Sequence, residues 1–277
     1  MNDIKININK NAKFIIDELH KNGFEAYIVG GCVRDALIGK LPDDYDITTN
    51  ALPVDIKRIF KKTVDTGIKH GTVSVLLKTD GGNIKTYEVT TYRVDGEYID
   101  GRHPESVRFV KNLKEDLSRR DFTVNAMAYN EEDGLIDLFD GIKDLKEKTI
   151  RAVGVAKDRY NEDALRMLRA IRFAAKLGFD IEAKTYKAIE EVAPNMAKVS
   201  KERIQEELTK ILFSKKPRLI KYIYATGLAP FICDEFETLR PDDRQYVCTK
   251  KIYMAYAGIL YNKPKSCEKI SSELMIL

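Results

Sequence analysis

Apolar residues between Lys10 and His20 fall at Ala12, Ile15, Ile16 and Leu19, the three-and-four spacing of one helix face, and Gly23 follows as a stop. The period then shortens. Tyr27-Ile28-Val29 is a strand run that ends at Gly30-Gly31, and Arg34 and Asp35 follow at the start of a helix; Asp44 and Asp46 head the strand signal Ile47-Thr48-Thr49. Pro53 opens a helix predicted over residues 53–62. Residues 72–77 and 84–90 are strands joined by Thr79-Asp80-Gly81-Gly82-Asn83, a hairpin signal, with Ile84, Thr86, Glu88 and Thr90 on one face. Residues 91–107 combine Gly, Pro and charged residues without periodicity and predict a long loop. A short strand over 107–110 leads to a segment, 118–129, in which Arg119, Arg120, Asp121 and Asn125 interrupt an apolar stripe. Beyond Asp140-Gly141 the pattern is helical, with no sheet signal after residues 150–153. Helices are predicted over 161–177 before Gly178, 184–192, 201–213 with Ser200 as N-cap, 217–226 before Gly227, and within 242–260. The fold class is α+β.

Composition adds bounds. With 277 residues, 44% hydrophobic and 32% charged, the chain has material for one large or two smaller domains and the make-up of a soluble globular protein. No leader-like apolar segment and no membrane-length run stands in it, so a cytoplasmic protein with no membrane role is expected. Cys32, Cys233, Cys248 and Cys267 lack C-x-x-C spacing and there are only three His, which argues against a disulfide framework or a zinc cluster. The net charge of +4 is unevenly spread. Residues 1–140 carry 20 Lys+Arg against 24 Asp+Glu, and residues 141–277 carry 27 against 19. A polyanion would meet the second half, although lysines that merely solvate helices give the same balance.

Chemistry concentrates in two places. A Gly pair between strand and helix lets backbone approach a phosphate closely. Asp44 and Asp46, two apart on a strand, project together, and two such carboxylates suit a hard divalent cation completed by phosphate oxygens and water. Glu88, an acid in mid-strand, calls for a partner such as a metal. The second place is the predicted helix over 161–177. Asp163, Arg166, Arg169 and Arg172 line one side and Leu165, Leu168, Ile171 and Ala175 the other, so the arginine ridge is expected to face away from the packing face. Such a ridge is either a solvated surface or a set of guanidinium forks for a nucleotide.

Four segments in order resemble the class II CCA-adding enzymes (tRNA nucleotidyltransferases) of the poly(A) polymerase/tRNA nucleotidyltransferase family. They are Val29-Gly30-Gly31-Cys32-Val33-Arg34-Asp35 with Asp44-Tyr45-Asp46; the loop over 91–109 with its Tyr-Arg-Val-Asp-Gly and Asp-Gly-Arg-His-Pro pieces; Arg119-Arg120-Asp121-Phe122-Thr123-Val124-Asn125-Ala126-Met127-Ala128; and Glu162-Asp163-Ala164-Leu165-Arg166-Met167-Leu168-Arg169-Ala170-Ile171-Arg172-Phe173. The Gly-Gly and Asp-x-Asp element alone marks only the polymerase-beta-like superfamily; all four together are specific.

The resemblance implies a nucleotidyltransferase head over residues 1–140, with a small mixed sheet and helices, then a helical neck over 141–215 and the start of a helical body over 216–277, short or truncated. It implies that Asp44 and Asp46 hold Mg²⁺ with Glu88 in support. It assigns Gly31 and Arg34 to the triphosphate, Gly30 to nucleotide binding beside them, and Arg120, Asp121 and Asn125 to the sugar and phosphate side. Asp163 and Arg166 would read the base, with Arg169 and Arg172 near the phosphates. Cytosine and adenine both offer an amino donor beside an unprotonated ring nitrogen, which a carboxylate and a guanidinium match, whereas uracil and guanine reverse both groups. The implied activity is addition of C and A from CTP and ATP to the 3′ end of tRNA. A poly(A) polymerase, a partial enzyme adding only A or only CC, and a non-catalytic nucleotide- or RNA-binding module are the alternatives. The oligomeric state is not legible.

Overall fold

The computed structural model describes residues 4–96 and 107–232. The chain divides into two units, with the break after Lys146. The first contains, in chain order, α1 (Lys10–Lys21), β1 (Ala26–Val29), α2 (Gly31–Leu37), β2 (Asp46–Thr49), α3 (Pro53–Ile59), β3 (Thr63–Gly67), β4 (Thr72–Lys78), β5 (Ile84–Thr91), β6 (Arg93–Asp95), β7 (Val107–Phe109), α4 (Leu113–Ser118), β8 (Met127–Asn130), β9 (Gly134–Asp137) and α5 (Gly141–Lys146). A mixed seven-stranded sheet has the order β3-β4-β5-β2-β1-β8-β9. Only the β2–β5 pair in it is parallel.

Strand alternation sends neighbouring side chains to opposite faces, and this decides where the core sits. Ile28 of β1, Ile47 of β2 and Val89 of β5 join Ile15, Ile16 and Leu19 of α1 and Ile56 of α3 in the main core. The Asn9 side chain caps α1 by accepting from the Ala12 N–H at 2.7 Å. On the other face, Tyr27 and Val29 meet Tyr92, Leu113 and Leu117, a smaller cluster under α4. Asp46 and Thr48, flanking Ile47, therefore point to the α4 side.

The differences from the pattern reading have simple causes. Strand β3 has the half-exposed sequence Thr-Val-Asp-Thr-Gly, with no alternation to reveal it, and α3 ends at Ile59 before it. The predicted loop over 91–107 begins in strand: β5 runs to Thr91, and β6 pairs with β7 to bracket residues outside the description. The predicted helix within 242–260 also lies outside it.

In the second unit, β10 (Thr149–Ile150) precedes α6 (Ala156–Glu162), α7 (Leu165–Leu177), β11 (Asp180–Ile181), α8 (Ala183–Val192), α9 (Lys201–Leu212), α10 (Lys221–Ala225) and α11 (Ala229–Ile232). β10 and β11 pair in parallel, a two-residue contact too short for a periodicity signal. The helix predicted over 161–177 is two helices. Asp163 is extended (φ −139°, ψ 104°), and its carboxylate accepts the Leu165 N–H at 3.1 Å, ending one helix and starting the next. Ser200 stands at the N-cap of α9 without a side-chain capping bond. Among the described residues no helix is long and apolar enough to cross a membrane.

Candidate active site

Asp46 opens β2 on the α4 face and Asp44 lies two residues earlier; both are exposed. The parallel register pairs Ile47 with Val89, so Asp46 neighbours Glu88 of β5, which is exposed on the same face. The three acids feel one another. Loss of water pushes the Asp46 carboxyl above its usual range, Arg120 pulls it down and Asp44 pushes it up again. Glu88 is raised first by loss of water and then by Asp46 and Asp44. Lys85 lies 3.7 Å from Asp44. A hard cation would relieve this crowding of negative charge, so the donor set fits one. Among the described residues no three acidic, His or Cys side chains are grouped to hold a metal alone. A cation at Asp44 and Asp46 would draw its remaining ligands from substrate and water.

Cys32 is not part of this chemistry. It is buried, its S–H donates to the Val29 carbonyl at 3.3 Å, and burial followed by the nearby Asp46 charge raises the thiol to about 11.

Gly30 adopts φ +79°, and a Cβ there would lie 3.1 Å from Arg120 Nη1; one at Gly31 would lie 3.5 Å from Arg34 Nη2. Two guanidinium groups thus line the glycine backbone. Arg34, 2% exposed, is oriented from both sides. Its Nε donates to Asp35 at 2.9 Å and its Nη1 to Asn125 Oδ1 at 2.5 Å. Asn125 Nδ2 donates in turn to Asp121 at 3.0 Å. Helix α2 and the 3₁₀ turn Thr123–Asn125 are tied through this chain of bonds, and five of the predicted residues (Gly30, Gly31, Arg34, Asp121 and Asn125) sit on it or beside it. Arg120 is one-fifth exposed, and its Nε is buried with no hydrogen-bond partner, while its Nη1 is the atom that lies against Gly30.

The second unit holds the other predicted residues, and it corrects the expected outward ridge. Arg166 is buried and its Nη1 donates to Glu162 at 2.8 Å. Arg172 meets Glu207 of α9 at 2.6 Å and stacks on Phe173 at 4.1 Å; Arg169 lies 5.4 Å from the same ring. Asp163 accepts from Arg203 of α9 at 2.8 Å. Arg172 thus packs against α9, which brings Glu207 to it, whereas Arg166 is held by Glu162 one turn earlier in the chain.

Residues absent from the sequence reading are Asp116, Glu162, Arg203 and Glu207 as partners. A signal existed for two of them. Asp116 lies between Leu113 and Leu117, and Glu207 between Ile204 and Leu208, so each is an acid on an apolar helix stripe.

Sequence models of the Poly A polymerase head domain and of the probable RNA- and SrmB-binding site of polymerase A match residues 26–151 and 178–239. The CCA-adding enzyme of Lactiplantibacillus plantarum is 52% identical over 206 residues, 74% of this chain and 49% of that protein. That of Enterococcus faecalis is 52% identical over 223 residues, 80% of this chain and 52% of that protein. The crystal structure of the Bacillus stearothermophilus CCA-adding enzyme in complex with CTP is similar with a TM-score of 0.75 and 39% identity, over 96% of this chain and 62% of that one. The Thermotoga maritima CCA-adding enzyme complexed with tRNA matches at 0.69 and 26% identity, over 98% of this chain and 67% of that one. The chain spans about half the length of these curated relatives. Nucleotidyltransferases of this kind generally use a divalent metal. With both family models matched in order and half the aligned residues identical, the chain belongs to the poly(A) polymerase/tRNA nucleotidyltransferase family.

Proposed function

We propose that this protein adds C and A nucleotides from CTP and ATP to the 3′ end of tRNA without a nucleic-acid template, in the cytoplasm, releasing pyrophosphate. The observation that carries the reading is the open sheet face on which Asp44, Asp46 and Glu88 gather, beside an arginine with an unpartnered buried N–H. Names of similar proteins support the same reading: CCA-adding enzymes, one solved with CTP and one with tRNA. In the reaction a bond forms from the RNA 3′-oxygen to the α-phosphorus and the bond to pyrophosphate breaks. Mg²⁺ held by Asp44 and Asp46, with Glu88 in support, would lower the hydroxyl pKa and offset charge on the leaving group. Arg34, oriented by Asp35 and Asn125, and Arg120, against Gly30, hold the nucleotide's phosphates and sugar at the glycine backbone, with Gly31, Asp121 and Asn125 shaping that wall.

Base choice falls to Asp163 and Arg166, with Arg169 and Arg172 on the phosphate side. Asp163 accepts two bonds of the roughly four a carboxylate can take, so it retains capacity for an amino donor. Arg203 and Glu162 fix the two groups in place before a base arrives, which favours discrimination. The division into a head over 1–140, a neck over 141–215 and a body from 216 follows the same family reading.

The test is incubation with Mg²⁺ and tRNA transcripts lacking the 3′ end, with CTP, ATP or both, followed by sequencing of the products. Ordered C-C-A is expected. A long A tail, or addition of one nucleotide type only, would replace this reading by a poly(A) polymerase or a partial enzyme.

A further inference from the structure

Asp116 is an acid in the core with four partners. Its side chain is 0% exposed on α4. Oδ1 accepts from Arg119 Nε at 3.0 Å and Nη2 at 2.8 Å, and from the Arg93 backbone N–H at 3.4 Å. Oδ2 accepts from Thr48 Oγ1 at 3.1 Å and Arg120 Nη2 at 3.4 Å. Thr48 shares a face of β2 with Asp46, and Arg93 opens β6. One carboxylate therefore ties the carboxylate-bearing strand, the start of the β6–β7 ribbon and both arginines. An ionised acid removed from water is costly, and a fold that needed only packing here would do better with a leucine. What the charge supplies is a fixed place for a second charge. Arg120 is held by Asp116 through Nη2, its Nε has no partner, and its Nη1 edge lies against Gly30, where Asp46 feels its charge.

We propose that Asp116 is a positioning residue for nucleotide binding: with Thr48 of the carboxylate strand anchoring its Oδ2, it holds Arg120 Nη2 at the same oxygen and so aims the Nη1 edge beside Gly30 at the phosphate and sugar of a nucleoside triphosphate. This deepens the proposed function and rests on its placing of Arg120 at the nucleotide. It differs from a purely structural role in one respect. The effect of Asp116 on the nucleotide must pass through Arg120.

A double-mutant cycle decides between the two roles. CTP binding is titrated on the full chain without RNA, and nucleotide and RNA KM are measured with tRNA lacking its 3′ end. Asp116→Asn is expected to weaken CTP binding about tenfold and raise the nucleotide KM by a similar factor, with the RNA KM unchanged, as for loss of one charge-assisted bond. In the Arg120→Ala background it is expected to add nothing. Full weakening in that background, or CTP binding within about twofold of wild type for Asp116→Asn alone, overturns the proposal. If Asp116→Asn does not fold, Thr48→Val, nearly isosteric, carries the same cycle with a smaller loss of about threefold, and no loss overturns the tether. A wild-type protein that binds CTP but transfers nothing to RNA sinks the proposed function, while the CTP titrations still decide the role of Asp116.

Discussion

Asp46 and Glu207 are both carboxylates, and the structure gives them opposite tasks. Asp46 stands on an open face, raised by loss of water and by Asp44, so removing it costs chemistry more than stability. Asp46→Asn is expected to lower nucleotide incorporation at least about a hundredfold while CTP binding persists; unchanged incorporation would remove it from the site. Glu207 is 4% exposed and carries Arg172 at 2.6 Å, with Lys210 at 3.5 Å. Glu207→Ala leaves a guanidinium in the packing between α7 and α9, and should destabilise by about 3 kcal/mol, read as a lower urea midpoint. Glu207→Met combined with Arg172→Met is expected to recover much of that loss, because no charge is then left uncompensated. At this scale the sequence named Asp46 and the arginines, since Asp-x-Asp and regularly spaced arginines are local patterns. It did not name Glu207, which lies 35 residues from Arg172 in the chain and meets it only through helix packing.

Between neighbouring elements, close approach sets the constraints. Gly141 opens α5 where a Cβ would lie 2.6 Å from the Thr123 carbonyl and 2.9 Å from Met127. Asp137 caps the same turn, accepting from the Gly141 and Ile142 N–H groups at 2.8 Å each. Gly141→Ala should cost about 1–3 kcal/mol and, by shifting the turn that carries Asn125, weaken CTP binding; a variant as stable as wild type would show that the turn can yield. Helix α4 has a pH signature. Burial pushes the Asp116 carboxyl up, but Arg119, Arg120 and the hydrogen bonds outweigh it and hold the group below its ordinary value. A carboxyl depressed in the folded state contributes stability that is present above the unfolded pKa of about 4 and lost as pH falls through the folded value. Thermal scans from pH 7 down to 3 should show this loss in wild type and a flatter acid limb in Asp116→Asn. Equal limbs would mean that Asp116 ionises alike in both states. The elements legible in advance were those with strong periods, such as α1, β4 and β5. The break at Asp163 was not, because one residue with an extended backbone leaves the apolar spacing on either side intact.

Over the whole chain, the excess of 27 Lys+Arg over 19 Asp+Glu in residues 141–277 predicts that RNA binding rests on ion pairing. Affinity for tRNA should fall about tenfold or more between 50 and 200 mM salt, measured by filter binding at constant pH; an affinity indifferent to salt would contradict the assignment. The sequence by itself determined the α+β class, the Gly-Gly and Asp-x-Asp elements, the arginine series and the family, because each depends on residues close together in the chain or on ordered motifs. Tertiary structure decided which face of β2 Asp46 takes, that Glu88 joins it through the parallel register with β5, and that Arg172 turns to Glu207 of α9. Those outcomes depend on strand order and on charges delivered by distant helices. Local patterning carries no record of either: a period reports which face is apolar, and not what charged group a neighbouring element brings to the other.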